Sequence, residues 1–321
     1  MNPLQAGAQS DRDLYELVES FFRTSFSTDN ALITEAVRRM LAAGGKRLRP
    51  RFTLLAAEAM GARAADHLPL AAYMELIHVA TLIHDDVVDG ADTRRGVNAT
   101  AVDFGNRISV LAGDYLFAWI FKNVTAGYPH PVPNILSSTL ADITDGEVLQ
   151  LRALGDLDTS LDAYVEIAAK KTASLFAASA QCGAVAAGGT PFAVKALTDF
   201  GLAFGVAFQM RDDLLDLTGD EASLGKPVGN DLREHKMTVP LVLALAGGDR
   251  EFRADVERFM AEDDDTRERI AGLVGAIGVH GGVAKTEAAL AGYVERAKAS
   301  LAPLGNVPAR AELAAFADAL L

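Results

Sequence analysis

Six aspartates fall in two copies of one pattern, Asp85-Asp86-Val87-Val88-Asp89 and Asp212-Asp213-Leu214-Leu215-Asp216. On a helix, residues i and i+4 share a face. Asp85 and Asp89 therefore point the same way, with Asp86 beside them, and Asp212 and Asp216 repeat the arrangement. Like charges at this spacing destabilise an isolated helix. Negative charge near a helix C-terminus, where the first cluster falls, adds to the cost. Both clusters follow strongly apolar sequence, Leu76-Ile77 and Leu82-Ile83 before the first and Phe204 to Met210 before the second. Bound divalent cations explain such sites. An oxygen-only donor set suits Mg²⁺, which keeps several waters and shares the phosphate oxygens of a substrate. The plainer alternative is two solvated acidic faces.

Three basic groups accompany the acids: Lys46-Arg47-Leu48-Arg49, Arg94-Arg95 and Lys170-Lys171. Carboxylates and cations in this combination suit a metal-bridged diphosphate. Gly44 and Gly45 free the backbone to approach an anion, and Lys46, Arg47 and Arg49 supply charge. The guanidinium fork matches phosphate oxygens, whereas Lys acts as a point charge. The competing account makes the first group a neutralised helix C-terminus. Arg94 and Arg95 would then be surface partners of Asp89 or Asp92. His78 lies two turns before Asp85 on the same face, as a ligand contact or as a satisfied core histidine. Thr172 and Gln209 each put a polar group in an apolar helix. Gln209 is about one turn before Asp212, so it faces the same space.

These residues need a scaffold, and the pattern supplies helices. Ala, Leu, Glu and Arg fill most segments. Helices are expected at residues 11–26, 30–43, 50–60, 67–90, 106–125, 133–153, 159–187, 191–218, 237–246, 250–261, 264–278, 281–301 and 307–321. Gly44-Gly45 stops the second, Pro50 opens the third and Asp66 caps the fourth. Residues 128–133 and 218–230 are loops. No solenoid repeat or strand-rich region is evident. The apolar stretch Ala173–Phe192 is expected as a buried helix and not a membrane span, because Leu, Ile and Phe are sparse in it.

The chain has 321 residues, 50% hydrophobic and 23% charged, enough to bury a sizeable core as one domain over residues 1–321. A formal net charge of −13 argues against nucleic acid as a partner. It leaves room for a local basic pocket. Cys182 is the only cysteine, so no internal disulfide forms. The N-terminal residues lack a basic start followed by an apolar run, and a cytoplasmic location is expected.

In order and at family spacing from Gly44 to Pro240, the chain resembles the trans-isoprenyl diphosphate synthases, or polyprenyl synthetases. Gly44-Gly45-Lys46-Arg47-Leu48-Arg49-Pro50 is similar to the family's isopentenyl diphosphate segment. Leu82 to Asp89 with Arg94-Arg95-Gly96 is similar to its first aspartate-rich motif. Asp212 to Asp216 with Gly225-Lys226 and Asp231 is similar to the second, and Lys171-Thr172 and Lys236 match further positions. The resemblance implies an all-α isoprenoid synthase fold, a helical bundle around a central cavity, as a homodimer. It implies that Asp85, Asp89 and Asp212 hold Mg²⁺, three ions with substrate bound, on the allylic diphosphate. Asp86, Asp213 and Asp216 support them. Arg94, Lys171 and Lys236 would contact that diphosphate, of farnesyl or geranyl type, and Lys46, Arg49, His78 and Arg95 the isopentenyl diphosphate. Thr172 and Gln209 would face the reacting carbons.

The helix before Asp85 bears on product length. In similar enzymes bulky aromatics at the positions of Ala80 and Thr81 form a floor. Here both are small, with Ile77 and Met74 deeper, so a hexaprenyl to decaprenyl product is expected, of the kind attached to respiratory quinones. A side chain from another helix, such as Phe117 or Trp119, would instead give a farnesyl or geranylgeranyl product. A tail of that size also implies at most peripheral membrane association. A class I terpene cyclase would lack the Gly44–Pro50 segment, and a non-catalytic subunit would have lost acids from one cluster.

Overall fold

The structure, a computed structural model, describes residues 8–26, 28–94, 97–219, 228–262 and 266–321. In chain order the helices are α1 Ala8–Ser25, α2 Ala31–Ala42, α3 Leu48–Ala59, α4 Leu68–Val88, α5 Thr100–Phe104, α6 Asn106–Gly127, α7 Val132–Ala153, α8 Leu161–Ala168, α9 Ser174–Ala186, α10 Pro191–Thr218, α11 Asn230–Arg233, α12 Val239–Gly247, α13 Arg250–Ala261, α14 Arg267–Val279, α15 Gly282–Ser300 and α16 Pro308–Asp318. A π-helical turn, Ala169–Ala173, joins α8 to α9. The one sheet among the described residues is a hairpin of β1 Thr93–Arg94 and β2 Val97–Asn98, antiparallel, with Thr93 opposite Asn98. The protein is therefore all-α, as expected.

The chain groups into two compact units. One comprises Met1–Ser138, Ala177–Thr198 and Leu301–Phe316, the other Thr139–Phe176, Asp199–Ser300 and Ala317–Leu321. In the first, α4 is apolar around most of its circumference, and such a helix has to be buried on all sides. It packs against α3 and α6. Leu70, Met74, Leu76, Ile77, Ala80 and Ile83 are all buried. Tyr73 from α4 meets Trp119 of α6 edge-on at 5.8 Å, and Trp119 meets Phe26 at 5.3 Å. In the second unit, Phe176 meets Phe204 and Phe208 at 5.2 and 5.4 Å. A further core joins Leu217, Leu232, Leu241, Phe252, Phe259 and Ile277.

Two of the expected helix-start signals act differently from expectation. Asp66 does not cap α4. It lies in a 3-10 turn, Ala64–His67, and His67 takes the cap position without a side-chain bond. Pro69 sits in the first turn and has no N–H, which removes one of the donors a cap would satisfy. Helix α3 begins at Leu48, so Pro50 falls inside its first turn, where a missing N–H costs nothing. The apolar stretch from Ala173 forms α9, with Leu175, Phe176, Ala178, Ala180 and Cys182 buried, as expected of a core helix.

Candidate functional site

The first acid cluster ends α4. Asp89 is the C-cap, and its N–H donates to the Asp85 carbonyl at 2.8 Å. Asp85 and Asp89 are half-buried, one turn apart. Asp86 is 0% exposed and turned to the hairpin. Arg94 on β1 donates to its Oδ1 through Nε at 2.7 Å, and its second nitrogen lies 2.6 Å away. Arg94 is thus partnered by Asp86. His84, beside the cluster, lies 3.0 Å from the Val110 carbonyl and edge-on to Phe117 at 5.7 Å. Gly113 makes room for it, since a Cβ there would fall 2.2 Å from the His84 ring.

The basic segment before α3 separates into two roles. Lys46 is exposed and Arg49 half-buried. Arg47 is 4% exposed and left-handed, with φ 47°. It donates to Glu75 at 2.6 Å, to Glu19 at 3.3 Å and to the Leu41 carbonyl at 2.8 Å. One of the three cations of this segment is therefore structural. Glu75, on α4, is one residue from Met74 and three from His78, so this ion pair ties the segment to that helix.

Lys171 and Thr172 sit within the π turn, where one extra residue per turn swings side chains off the regular helical register. The Ser174 N–H reaches back to the Ala169 carbonyl. Lys171 Nζ lies 2.5 Å from Gln150 Oε1 and 2.5 Å from Glu147 Oε2, both on α7. Thr172 Oγ1 donates to Gln209 Oε1 at 2.8 Å, and Gln209 Nε2 donates to Asp213 Oδ1 at 2.9 Å. The other oxygen of Asp213 accepts the Val239 N–H at 3.1 Å.

Asp213 is buried, and burial pushes its carboxyl up to about 6 against the pull of Gln209, the Val239 N–H and the Tyr164 hydroxyl. Burial, followed by the nearby Asp213, raises the Tyr164 hydroxyl in turn. Asp216 is 1% exposed, and its Oδ2 accepts the Asp231 N–H at 3.1 Å in the first turn of α11. Asp212 is exposed. The second cluster thus presents one aspartate outward and anchors the other two in hydrogen bonds. Lys236 follows α11 and pairs with Glu234 at 2.5 Å.

The α4 residues Met74, Ile77 and Ala80 are buried, while His78 and Thr81 are partly exposed. Thr81 Oγ1 donates to the His78 carbonyl at 2.8 Å, which leaves no bulk at that step of the helix. Phe117 is taken up by His84 and Trp119 by Tyr73 and Phe26. Arg95, Gly96, Gly225 and Lys226 lie outside the described residues. Glu147, Gln150 and Tyr164 were not singled out from the sequence. The i, i+3 spacing of Glu147 and Gln150 directly after Gly146 is the signal that would have found the first two.

Among the described residues, no three Asp, Glu, His or Cys side chains converge as a self-sufficient metal cage. The half-buried pair Asp85 and Asp89 still fits Mg²⁺, which takes one or two carboxylates and completes its shell with water and phosphate oxygens.

The polyprenyl synthetase family model matches residues 30–277. The octaprenyl diphosphate synthase of Escherichia coli (strain K12) is 38% identical over 291 residues, 91% of this chain and 90% of that protein. The short chain isoprenyl diphosphate synthase of Methanothermobacter thermautotrophicus is 35% identical over 316 residues, 97% of this chain and 96% of that protein. The crystal structure of a decaprenyl diphosphate synthase from Rhodobacter capsulatus superposes with a TM-score of 0.92 at 39% identity, covering 99% of this chain and 98% of that one.

Proposed function

The chain belongs to the polyprenyl synthetase family, and from that premise we propose that it is a long-chain trans-polyprenyl diphosphate synthase, adding isopentenyl diphosphate stepwise to an allylic diphosphate primer. The observation that carries the long product is the pair Ala80 and Thr81, small side chains one turn below Asp85 on α4. With the buried Ile77 and Met74 beneath them, no aromatic ring stands at that step of the helix.

The barrier is heterolysis of the allylic C–O bond, which leaves a carbocation and diphosphate. Asp85, Asp89 and Asp212 would hold Mg²⁺, with Asp86, Asp213 and Asp216 supporting them. The ion would supply positive charge to offset the charge that develops on the leaving diphosphate. Arg94, Lys171 and Lys236 contribute fixed cations to the same leaving group. Lys46, Arg49, His78 and Arg95 hold isopentenyl diphosphate. Its double bond attacks the cation to form the new C–C bond, in a reaction assisted chiefly by proximity. A proton then leaves the product carbon, and the departed diphosphate accepts it. Gln209 cannot rotate without losing Asp213 or Thr172, so its amide is preset. Its carbonyl oxygen and the Thr172 hydroxyl present a fixed partial negative charge to the cation.

The same reading includes a homodimer, a cytoplasmic location and at most peripheral contact with membranes. Support for the dimer comes from the exposed apolar face of α7, with Val148 at 44% and Leu151 at 46%; sedimentation would test it. The function is tested by extending farnesyl diphosphate with radiolabelled isopentenyl diphosphate and sizing the product. Hexaprenyl to decaprenyl chains are expected. A farnesyl or geranylgeranyl product would reject the open floor, and no Mg²⁺-dependent condensation at all would reject the enzyme.

A further inference from the structure

Lys171 is held more elaborately than a surface lysine. Two residues one turn apart on α7 hold its ammonium, Gln150 as hydrogen-bond acceptor and Glu147 as ion-pair partner, and the side chains of the ion pair are only 19% and 16% exposed. Gly146 precedes them. A Cβ at Gly146 would fall 2.5 Å from the Lys171 backbone nitrogen, so only glycine lets α7 come this close. Lys171 itself stands in the π turn, a rare geometry that helices adopt mostly at functional positions.

The arrangement has a specific consequence. An ammonium carries three N–H donors. Gln150 accepts one of them, and the Glu147 carboxylate 2.5 Å away holds the ammonium on that side, which narrows the directions open to the remaining donors. A lysine so held gives up its rotamer freedom before a ligand arrives, and the ligand no longer bears that entropy.

We propose that Glu147, assisted by Gln150, is the positioning residue for Lys171, setting its ammonium for the allylic diphosphate. This rests on the assignment of Lys171 to that diphosphate made above. Glu147 touches no substrate and acts through the lysine alone.

The test is a kinetic split combined with a double-mutant cycle. Glu147→Ala is expected to raise KM for the allylic diphosphate about tenfold, the equivalent of the lysine side-chain entropy. KM for isopentenyl diphosphate and the unfolding midpoint stay put. Glu147→Gln keeps an acceptor for the ammonium and restores most of the allylic KM. In a Lys171→Ala background, Glu147→Ala adds no further change, because the two act as one unit. A parallel rise in both KM values overturns the proposal, as does a full Glu147→Ala effect in the Lys171→Ala background. Should the wild type make no prenyl diphosphate, the synthase assignment fails by itself. Calorimetric binding of inorganic diphosphate with Mg²⁺ then reads the Glu147 claim separately, with the same cycle and the same refuting outcomes.

Discussion

Removing Arg47 tests the division of the basic segment into structural and ligand-facing cations. The side chains of Arg47 and Glu75 are each 3% exposed and 2.6 Å apart. Arg47→Ala strips the guanidinium and leaves the Glu75 carboxylate buried without it. Breaking a buried pair from one side costs about 3–5 kcal/mol, because the remaining charge loses its compensation. Glu19 at 3.3 Å and the Leu41 carbonyl at 2.8 Å also lose a donor, which places the loss toward the upper end. Domains are stable by roughly 5–15 kcal/mol, so this is a large fraction. Trp119 is the only tryptophan and meets Tyr73 edge-on, two residues from Glu75, so its fluorescence in a urea titration reports this unit. Adding Glu75→Gln to Arg47→Ala removes the stranded charge and should recover about half of the loss. A loss below about 1 kcal/mol, or a double variant no better than the single, would refute the assignment of Arg47 to the interior. A further expectation is a higher KM for isopentenyl diphosphate, since Lys46 and Arg49 flank the residue that anchors them.

Other perturbations follow from the same geometry. Ala80→Phe puts an aromatic ring on the buried face of α4 and should shorten the prenyl product; product sizing by thin-layer chromatography would show no change if that face does not line the tail. Gly113→Ala would drive a methyl into the His84 ring and should cost about 1–3 kcal/mol, with loss of the His84–Val110 contact, measured by the same urea titration. Cys182 is fully buried, and burial pushes its thiol far up, so a thiol reagent should find no reactive group in the native protein and one after denaturation. Chelation of divalent ions should abolish turnover, and Mg²⁺ should restore it; activity that survives chelation would remove the metal from the account.

Much of the helical layout was legible because apolar periodicity and chain punctuation act locally. The end of α2 at Ala42, shortly before Gly44 with φ 82°, follows from the positive φ that glycine adopts without steric cost. The spacing of Asp85 and Asp89 likewise gave their common face. What could not be read was which neighbour each polar side chain meets. Asp86, Asp213 and Asp216 share composition with Asp85, Asp89 and Asp212, yet they turn inward to Arg94, Gln209 and the Asp231 N–H. For Asp86 and Asp216 nothing within five residues encodes that choice, because the partners come from a hairpin and from the first turn of α11; only Gln209 lies within a helical turn of its aspartate. Arg47 went unrecognised as structural for the same reason, its partner Glu75 being far along the chain. The π turn has no local mark either. Its sequence, Ala-Lys-Lys-Thr-Ala, suits an ordinary helix, and the close approach of Gly146 is part of what accompanies the deviation.

That turn acts as a vernier between two stretches of one rod. An extra residue advances the phase of all that follows by about 100° and 1.5 Å. Upstream, Tyr164 must look toward Asp213; downstream, Phe176 must look toward Phe204. Deleting one residue between Ala169 and Ala173 would leave a perfectly regular helix that can meet only one of these engagements. A shorter, smoother rod would therefore be the damaged one.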